Sequence, residues 1–185
     1  LERRIIAQLL EETRVLVRPL NGAARQFVVY WTERFEVSNV KTLLRAKMAG
    51  ERTAAIAPRL IPMGPFARLD VDDLMQVEDV TELFRRLEQG SYAEIVRHAR
   101  RAFEEGRDPF ILDATLDRAY YEGLVRRAQP LEAEVGRPFR DLMAGFIDRI
   151  NLVWLLRYRF NYGLPPVQVY YLLVASRYRL HSALL

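Results

Sequence analysis

The sequence contains no cysteine among its 185 residues and only two histidines, His98 and His181. Without cysteine there is no disulfide framework, thiolate zinc site, iron–sulfur cluster or thiol nucleophile. Two histidines leave little for a histidine metal cage or a catalytic triad, and neither is followed by a metal ligand three or four residues later. The sequence therefore predicts no metal site.

Motifs for nucleotide chemistry are also missing. There is no Gly-x-x-x-x-Gly-Lys-Ser/Thr phosphate-binding loop, so we expect the chain neither to bind nor to hydrolyse ATP. The acidic group Asp70, Asp72 and Asp73 lacks the glycine and the distant glutamate of a calcium-binding EF-hand loop, and we interpret these residues as helix caps. No pair of carboxylates and no nucleophile–base pair can be nominated. The prediction is a protein without catalytic residues and without a cofactor.

Long hydrophobic runs are absent too. The longest apolar run covers residues 169–175, whereas a membrane-spanning helix needs about 20 apolar residues. We therefore expect the chain not to cross a membrane.

Positive charge slightly exceeds negative charge, with 28 lysines and arginines against 24 acids, and Lys41 and Lys47 are the only lysines. A basic, arginine-rich chain with several tyrosines fits an alternative function, a helical nucleic-acid-binding module. However, most arginines are interleaved with acids at spacings of three or four residues, which is typical of ion pairs on exposed helix faces.

The apolar residues follow a helical period almost throughout. One helix precedes the break at Asn21-Gly22, and a second covers about 23–48 and ends before Gly50. Residues 51–69 contain three prolines and are predicted to be mostly loop. Further helices are expected after Asp70 and Asp79, at 91–105 with Ser91 as cap, from Pro109 to about Pro130, over 139–160, and from 164 onward. The sequence predicts an all-α fold.

The sequence also repeats itself. The segment 36–47 reads EVSNVKTLLRAK, and the segment 148–159 reads DRINLVWLLRYR, 112 positions later. Each segment ends a long helix and is followed by a glycine, Gly50 in one copy and Gly163 in the other, one residue out of step. We interpret the similarity as an internal duplication.

With these two segments, the chain resembles the family of the C subunit of V-type (vacuolar and archaeal-type) rotary ATPases, called the d subunit in eukaryotes. That family's signature is an acid, two residues, Asn, then a leucine pair followed by Arg, one residue and Lys. The first copy matches it, and the second has Arg159 in place of the final Lys. The stretches 60–64, 69–74 and 116–121 also resemble the family in its order, so the likeness covers nearly the whole chain.

The resemblance implies an all-α fold with three related helical subdomains that form a funnel in the full protein. Two of the three are expected here, as a first repeat at 1–50, a second at 51–163 and the start of a truncated third at 164–185, near Tyr178 to Leu180. We therefore expect the chain to be a fragment of a longer protein, truncated at both ends.

In function, the resemblance implies a non-catalytic central-stalk subunit, a socket that couples the rotating shaft to the membrane ring that translocates ions. Its partners would be the shaft subunits and the membrane rotor ring, with no nucleic acid and no membrane span of its own. Its location would be cytoplasmic, peripheral on the membrane through the ATPase complex.

Two interpretations of the signature residues remain open. Each asparagine either bonds a nearby backbone carbonyl or its Arg and so fixes helix packing, or lines a polar surface that receives a partner. We favour the structural interpretation, because an inward polar residue often specifies packing register. The candidate residues, for partner binding or for structure, are Asn39, Arg45, Lys47, Asn151, Arg157 and Arg159.

Overall fold

A computed structural model describes residues 2–106 and 108–175 of the chain. Those residues form helices and connecting turns without a β-strand, which confirms the all-α prediction. The expected start of a third repeat near Tyr178 lies outside the described residues. The helices are α1 (Glu2–Val17), α2 (Gly22–Met48), α3 (Thr53–Ile56), α4 (Val71–Gln76), α5 (Val80–Leu87), α6 (Ala93–Gly106), α7 (Pro109–Val135), α8 (Arg137–Leu156) and α9 (Pro166–Leu172). Two 3-10 turns, Ala57–Arg59 and Gly64–Phe66, and one π-helical turn, Arg157–Asn161, complete the chain's regular structure in these ranges.

The chain forms two compact units, divided between Tyr120 and Tyr121. Unit 1 contains α1 to α6 and the first part of α7, and unit 2 contains the rest of α7 with α8 and α9. The predicted repeat boundaries at residues 50 and 163 are defined by sequence similarity rather than by compactness. The division into two units therefore does not test them, and they stay a prediction.

A tyrosine pair joins α2 to the first part of α7 inside unit 1. The rings of Tyr30 and Tyr120 stack with their centroids 5.3 Å apart. The Tyr30 hydroxyl donates to the carbonyl of Tyr120, and the Tyr120 hydroxyl donates to the carbonyl of Trp31. Burying two aromatic rings while satisfying both hydroxyls makes this a well-defined contact in the core. Unit 1 also buries leucines from α2, α5 and α7, including Leu43, Leu44, Leu83, Leu112 and Leu116.

Aromatic side chains also join the helices of unit 2. Trp154 of α8 lies edge-on to Tyr121 at 5.5 Å and stacks on Tyr158 at 6.0 Å between ring centroids. Leu124, Ala128, Leu131, Met143 and Ile147 are the buried apolar side chains that α7 and α8 add to this unit.

Several helix starts lie where the sequence predicts them. The Asp70 carboxylate accepts the N–H of Asp73, and the Asp79 carboxylate accepts the N–H groups of Thr81 and Glu82. These side chains satisfy amide groups that have no partner inside the helix, which is why aspartate is favoured there.

Three predicted boundaries are wrong. α7 does not end near Pro130 but continues to Val135, because Ala128 and Leu131 on either side of the proline are buried and their packing offsets the missing hydrogen bond. α6 begins at Ala93, so Tyr92 rather than Ser91 precedes its first residue, and the Tyr92 ring is buried. The predicted loop 51–69 contains α3 and two 3-10 turns, short helical pieces that prolines tolerate in their first turn.

Candidate functional site

Asn39 in the first signature copy holds a distant stretch of backbone. Its side-chain Nδ2 donates to the carbonyl of Ile61 at 2.8 Å, and its Oδ1 accepts the N–H of Ile61 at 2.7 Å. The carboxamide, which is buried, thus pairs with both polar groups of one residue as a neighbouring β-strand would. This contact fixes where the chain lies after it leaves the 3-10 turn at Ala57–Arg59.

Glu36, one helical turn before Asn39, is fully buried and binds the same stretch further along. One carboxylate oxygen accepts the N–H groups of Arg68 and Leu69 at 2.9 and 3.0 Å, and the other accepts the hydroxyl of Tyr92 at 2.6 Å. A buried carboxylate is tolerated when its oxygens are this fully hydrogen-bonded. Burial and the neighbouring Glu36 carboxylate raise the pKa of Tyr92 far above its usual value, so the hydroxyl stays protonated and donates.

Lys47 binds the end of the same stretch. Its Nζ donates to the carbonyls of Met75 and Val77 at 2.7 and 2.5 Å, where α4 ends. The last carbonyls of a helix lack partners inside the helix, and a cation there also faces the negative end of the helix dipole.

Glu36, Asn39 and Lys47 therefore lie on one stripe of α2, three and eight residues apart, and together hold the backbone of residues 61–77, here called the anchored segment. In the first copy, the spacing places an acid, an amide and a base on one helix face, and each binds a complementary backbone group of the anchored segment. The conformation of a proline-rich stretch is thus set by side chains of a preceding helix.

Asn151 makes the same pair of bonds in unit 2. Its Nδ2 donates to the carbonyl of Val174 at 2.8 Å, and its Oδ1 accepts the N–H of Val174 at 3.0 Å. Ile61 follows Asn39 by 22 residues, and Val174 follows Asn151 by 23. The basic residue at the end of this copy differs: Arg159 is exposed and donates to the carbonyl of Leu164.

The second copy has one more residue before its glycine than the first copy, and the difference lies at the end of its helix. In unit 1, Gly50 has φ of +66°, and the N–H of Glu51 bonds the carbonyl of Ala46, the usual glycine-ended helix terminus. In unit 2, Gly163 has φ of +64°, but the N–H of Leu164 bonds the carbonyl of Tyr158, across the π-helical turn Arg157–Asn161. The donor and acceptor residues are therefore separated by one position more than in unit 1. One inserted residue in an α-helix gives such a turn.

The remaining predicted residues lie on the surface of their own units. Arg45 forms an ion pair with Asp113 of α7 at 3.3 Å and is half exposed. Arg157 lies over the ring of Tyr162 with its guanidinium carbon 5.7 Å from the ring centroid. The structure therefore groups Asn39 and Lys47 with Glu36 at the anchored segment, groups Asn151 with Val174, and leaves both arginines available to solvent.

The sequence did not identify two residues of this arrangement. Arg68 supplies a backbone N–H to Glu36 and an ion pair to the buried carboxylate of Glu33, and Tyr92 supplies a buried hydroxyl. Nothing near Arg68 or Tyr92 in the sequence indicates these contacts, because both residues lie more than 30 positions from Glu36. The acid at a fixed distance from the asparagine in both copies was the available signal for Glu36 itself.

A surface cleft of about 550 Å³ lies beside Arg45, but its charged side chains are already paired, Arg45 with Asp113 and Arg59 with Glu51. Across the described ranges, His, Asp and Glu side chains do not gather in any group of three or more that could hold a metal ion. Likewise, none of the helices that the structure describes is both long enough and apolar enough to cross a membrane.

Comparison with known proteins agrees with the signature. The chain is similar to the C subunit of the A-type ATP synthase of Methanocaldococcus jannaschii, with 27% identity over 73% of this chain and 34% of that protein. The corresponding protein of Methanosphaera stadtmanae is 25% identical over 85% of this chain and 40% of that protein. That of Pyrococcus abyssi is 32% identical over 38% of this chain and 19% of that protein.

The aligned region spans about two fifths or less of the length of these relatives. No solved structure matches the chain significantly. The sequence model of one family, described as the ATP synthase (C/AC39) subunit, matches residues 1–185. The chain therefore belongs to the ATP synthase (C/AC39) subunit family.

Proposed function

We propose that this protein is a non-catalytic subunit of a rotary ATP synthase, a socket of the central stalk that couples the rotating shaft to the membrane ring. The whole-chain family match is the observation that carries the proposal. Torque would pass through the protein between ATP chemistry in the soluble head and ion movement in the membrane.

A coupling subunit has to be stiff, because a compliant link stores rotation as deformation. α2 has 27 residues and so measures about 40 Å. Glu36, Asn39 and Lys47 bind the anchored segment along its second half, so that segment and the helix respond to force together. The signature residues thus support the proposal as parts of a rigid body, and the exposed Arg45 and Arg157 are the candidates for contact with other subunits.

The proposal also sets the location: the protein would be peripheral at the cytoplasmic face of the membrane, attached through the complex, with shaft subunits on one face and the rotor ring on the other. The nucleic-acid alternative predicts a different partner and an affinity that falls steeply with salt.

Reconstitution tests the coupling directly. The soluble head with its shaft is added to vesicles that contain the membrane sector, with and without this protein, and ATP hydrolysis and ion uptake are measured together. We expect hydrolysis in both samples and ATP-driven uptake only where the protein is present. Equal uptake without the protein would contradict the socket role.

A further inference from the structure

Asn21 and Gly22 lie where the turn after α1 meets the start of α2, and both residues are exposed. Asn21 has an extended backbone, with φ of −133° and ψ of −179°, and its side chain makes no capping bond to α2. Gly22 has φ of +48°, and no other part of the chain lies within 4 Å of the position that a Cβ would take. The Asn21 carboxamide can therefore rotate, and no side chain shields the backbone nitrogen that follows it.

This pair of residues holds the reactants of a deamidation side by side. Asparagine is thermolabile because the backbone nitrogen of the next residue can attack its Cγ atom. The Gly22 nitrogen gives its proton to hydroxide and bonds to Cγ of Asn21, while Nδ2 takes a proton from water and leaves as ammonia. Water then cleaves one of the two C–N bonds of the resulting succinimide ring. Position 21 becomes an aspartate or an isoaspartate, and in both the amide has been replaced by a carboxylate.

The other three asparagines of the sequence lack this combination of features. Asn39 and Asn151 are buried, and both polar atoms of each side chain are hydrogen-bonded to backbone. Asn161 is exposed, but Tyr162 follows it, and a side chain there hinders the approach of the backbone nitrogen. Asn21 is exposed, uncapped and followed by glycine at the first residue of a helix, where the backbone N–H has no acceptor inside the helix.

The carboxylate formed by this reaction would lie in a positively charged setting. None of the residues in the first turn of α2 is acidic, so that turn places no negative charge at the positive end of the helix dipole. Arg18 and Arg25 are exposed, three residues before and four residues after position 21. An acid four residues before a base is the favourable order for an ion pair on a helix. Deamidation would therefore replace an uncapped neutral side chain with a charge that stabilises the start of α2.

We propose that Asn21-Gly22 is a site of spontaneous deamidation, with water as the only co-reactant, and that the aspartate product stabilises the start of α2. The reaction acts on the helix that carries Glu36, Asn39 and Lys47 and so holds the anchored segment. The inference rests on the conformation and exposure of this turn and does not depend on the role proposed above for the whole protein.

Peptide mass spectrometry of the incubated protein tests the reaction. Trypsin separates the four asparagines, which fall in the peptides 15–25, 35–41, 150–157 and 160–177, since the bond between Arg18 and Pro19 resists cleavage. We expect peptide 15–25 to gain about one dalton, the change from NH₂ to OH. Its rate should rise by up to about tenfold per pH unit, because the deprotonated fraction of the Gly22 nitrogen rises in that proportion. The other three peptides should keep their mass over the same period.

The chain unfolded in guanidinium chloride is the positive control, and Gly22→Ala is the matched variant. We expect peptide 15–25 to react in both the folded and the unfolded protein. Gly22→Ala should slow the reaction in both, because the new Cβ hinders the attacking nitrogen. Reaction in the unfolded chain alone would overturn the proposal, since the fold would then protect Asn21. An unchanged mass in both states, or equal rates at Asn21 and Asn161, would overturn it as well.

The effect of the new charge is measured on Asn21→Asp, which carries the aspartate product from the start. At low salt this variant should raise the midpoint of thermal unfolding by about 1–4 °C. The increase should shrink at high salt, because salt screens exposed charges. Asn21→Gln is the neutral control and should give no such increase. A midpoint that Asn21→Asp lowers or leaves unchanged would overturn the stabilising role of the carboxylate.

Discussion

Asn39 and Ile61 exchange two hydrogen bonds, side-chain amide to backbone carbonyl and backbone amide to side-chain carbonyl, across 22 residues of sequence. Asn151 and Val174 do the same across 23. In each unit, an asparagine side chain on a helix makes the two hydrogen bonds that a neighbouring β-strand would make to that backbone.

Removing either amide should destabilise its own unit. Asn39→Ala leaves the N–H and carbonyl of the half-buried Ile61 without their partner, and Asn151→Ala does the same to the buried Val174. Each substitution should cost about 1–3 kcal/mol. Urea denaturation measures the change in the free energy of unfolding. The control is Asn21→Ala, because Asn21 is exposed and its side chain makes no capping bond; its effect should stay within about 0.5 kcal/mol. Equal losses at Asn21 and Asn39 would contradict a specific role for the buried amides.

The buried pair of Tyr92 and Glu36 should make stability fall at high pH. Burial and the Glu36 carboxylate raise the pKa of Tyr92 in the folded protein, whereas in the unfolded chain tyrosine titrates near about 10. Above that pH the unfolded state releases a proton that the folded state keeps, so the free energy of unfolding falls by up to about 1.4 kcal/mol per pH unit.

Tyr92→Phe isolates this effect from the other tyrosines. The variant should be less stable at pH 7, by about 1–3 kcal/mol, because Glu36 loses a hydrogen-bond donor. It should also lose less stability than the unaltered protein between about pH 10 and 11. Denaturation at both pH values gives the comparison, with the exposed Tyr170→Phe as control. Parallel pH profiles for all three proteins would contradict the assignment.

Substituting alanine for two glycines of unit 2 should change the stability of the protein in opposite directions. Gly163 has φ of +64°, where a side chain is strained, so Gly163→Ala should cost about 1–2 kcal/mol. Gly145 lies exposed within α8 with open space around the position of a new Cβ, so Gly145→Ala should stabilise by about 0.5–1 kcal/mol. Thermal denaturation of both variants measures the difference. A stabilising Gly163→Ala would show that the π-helical turn does not require the glycine's conformation.

Local sequence patterns predicted most of the helices and their ends, whereas they did not predict contacts between distant residues. Aspartate caps at positions 70 and 79 and glycine stops were predictable because each acts within one helical turn. The continuation of α7 through Pro130 was not predictable, because the burial of Ala128 and Leu131 beside it outweighs the local preference of proline.

For the candidate site, the sequence likewise identified some residues but not the distant groups that they contact. The repeated motif identified Asn39, Lys47 and Asn151, because their spacing recurs in the sequence. Which backbone groups they bind depends on the path of the chain through the anchored segment and near Val174, and no local pattern encodes that path. Tyr92, 56 residues from Glu36, therefore emerged only from the structure.

The proposed function requires this protein to bind the shaft subunits of a rotary ATP synthase, and co-elution measures that binding. The protein is mixed with purified shaft subunits and separated by size-exclusion chromatography at low and moderate salt. We expect one stable complex of fixed stoichiometry at both salt concentrations. Separate elution at both, together with binding to nucleic acid that weakens steeply with salt, would rule out the socket role and favour the nucleic-acid alternative.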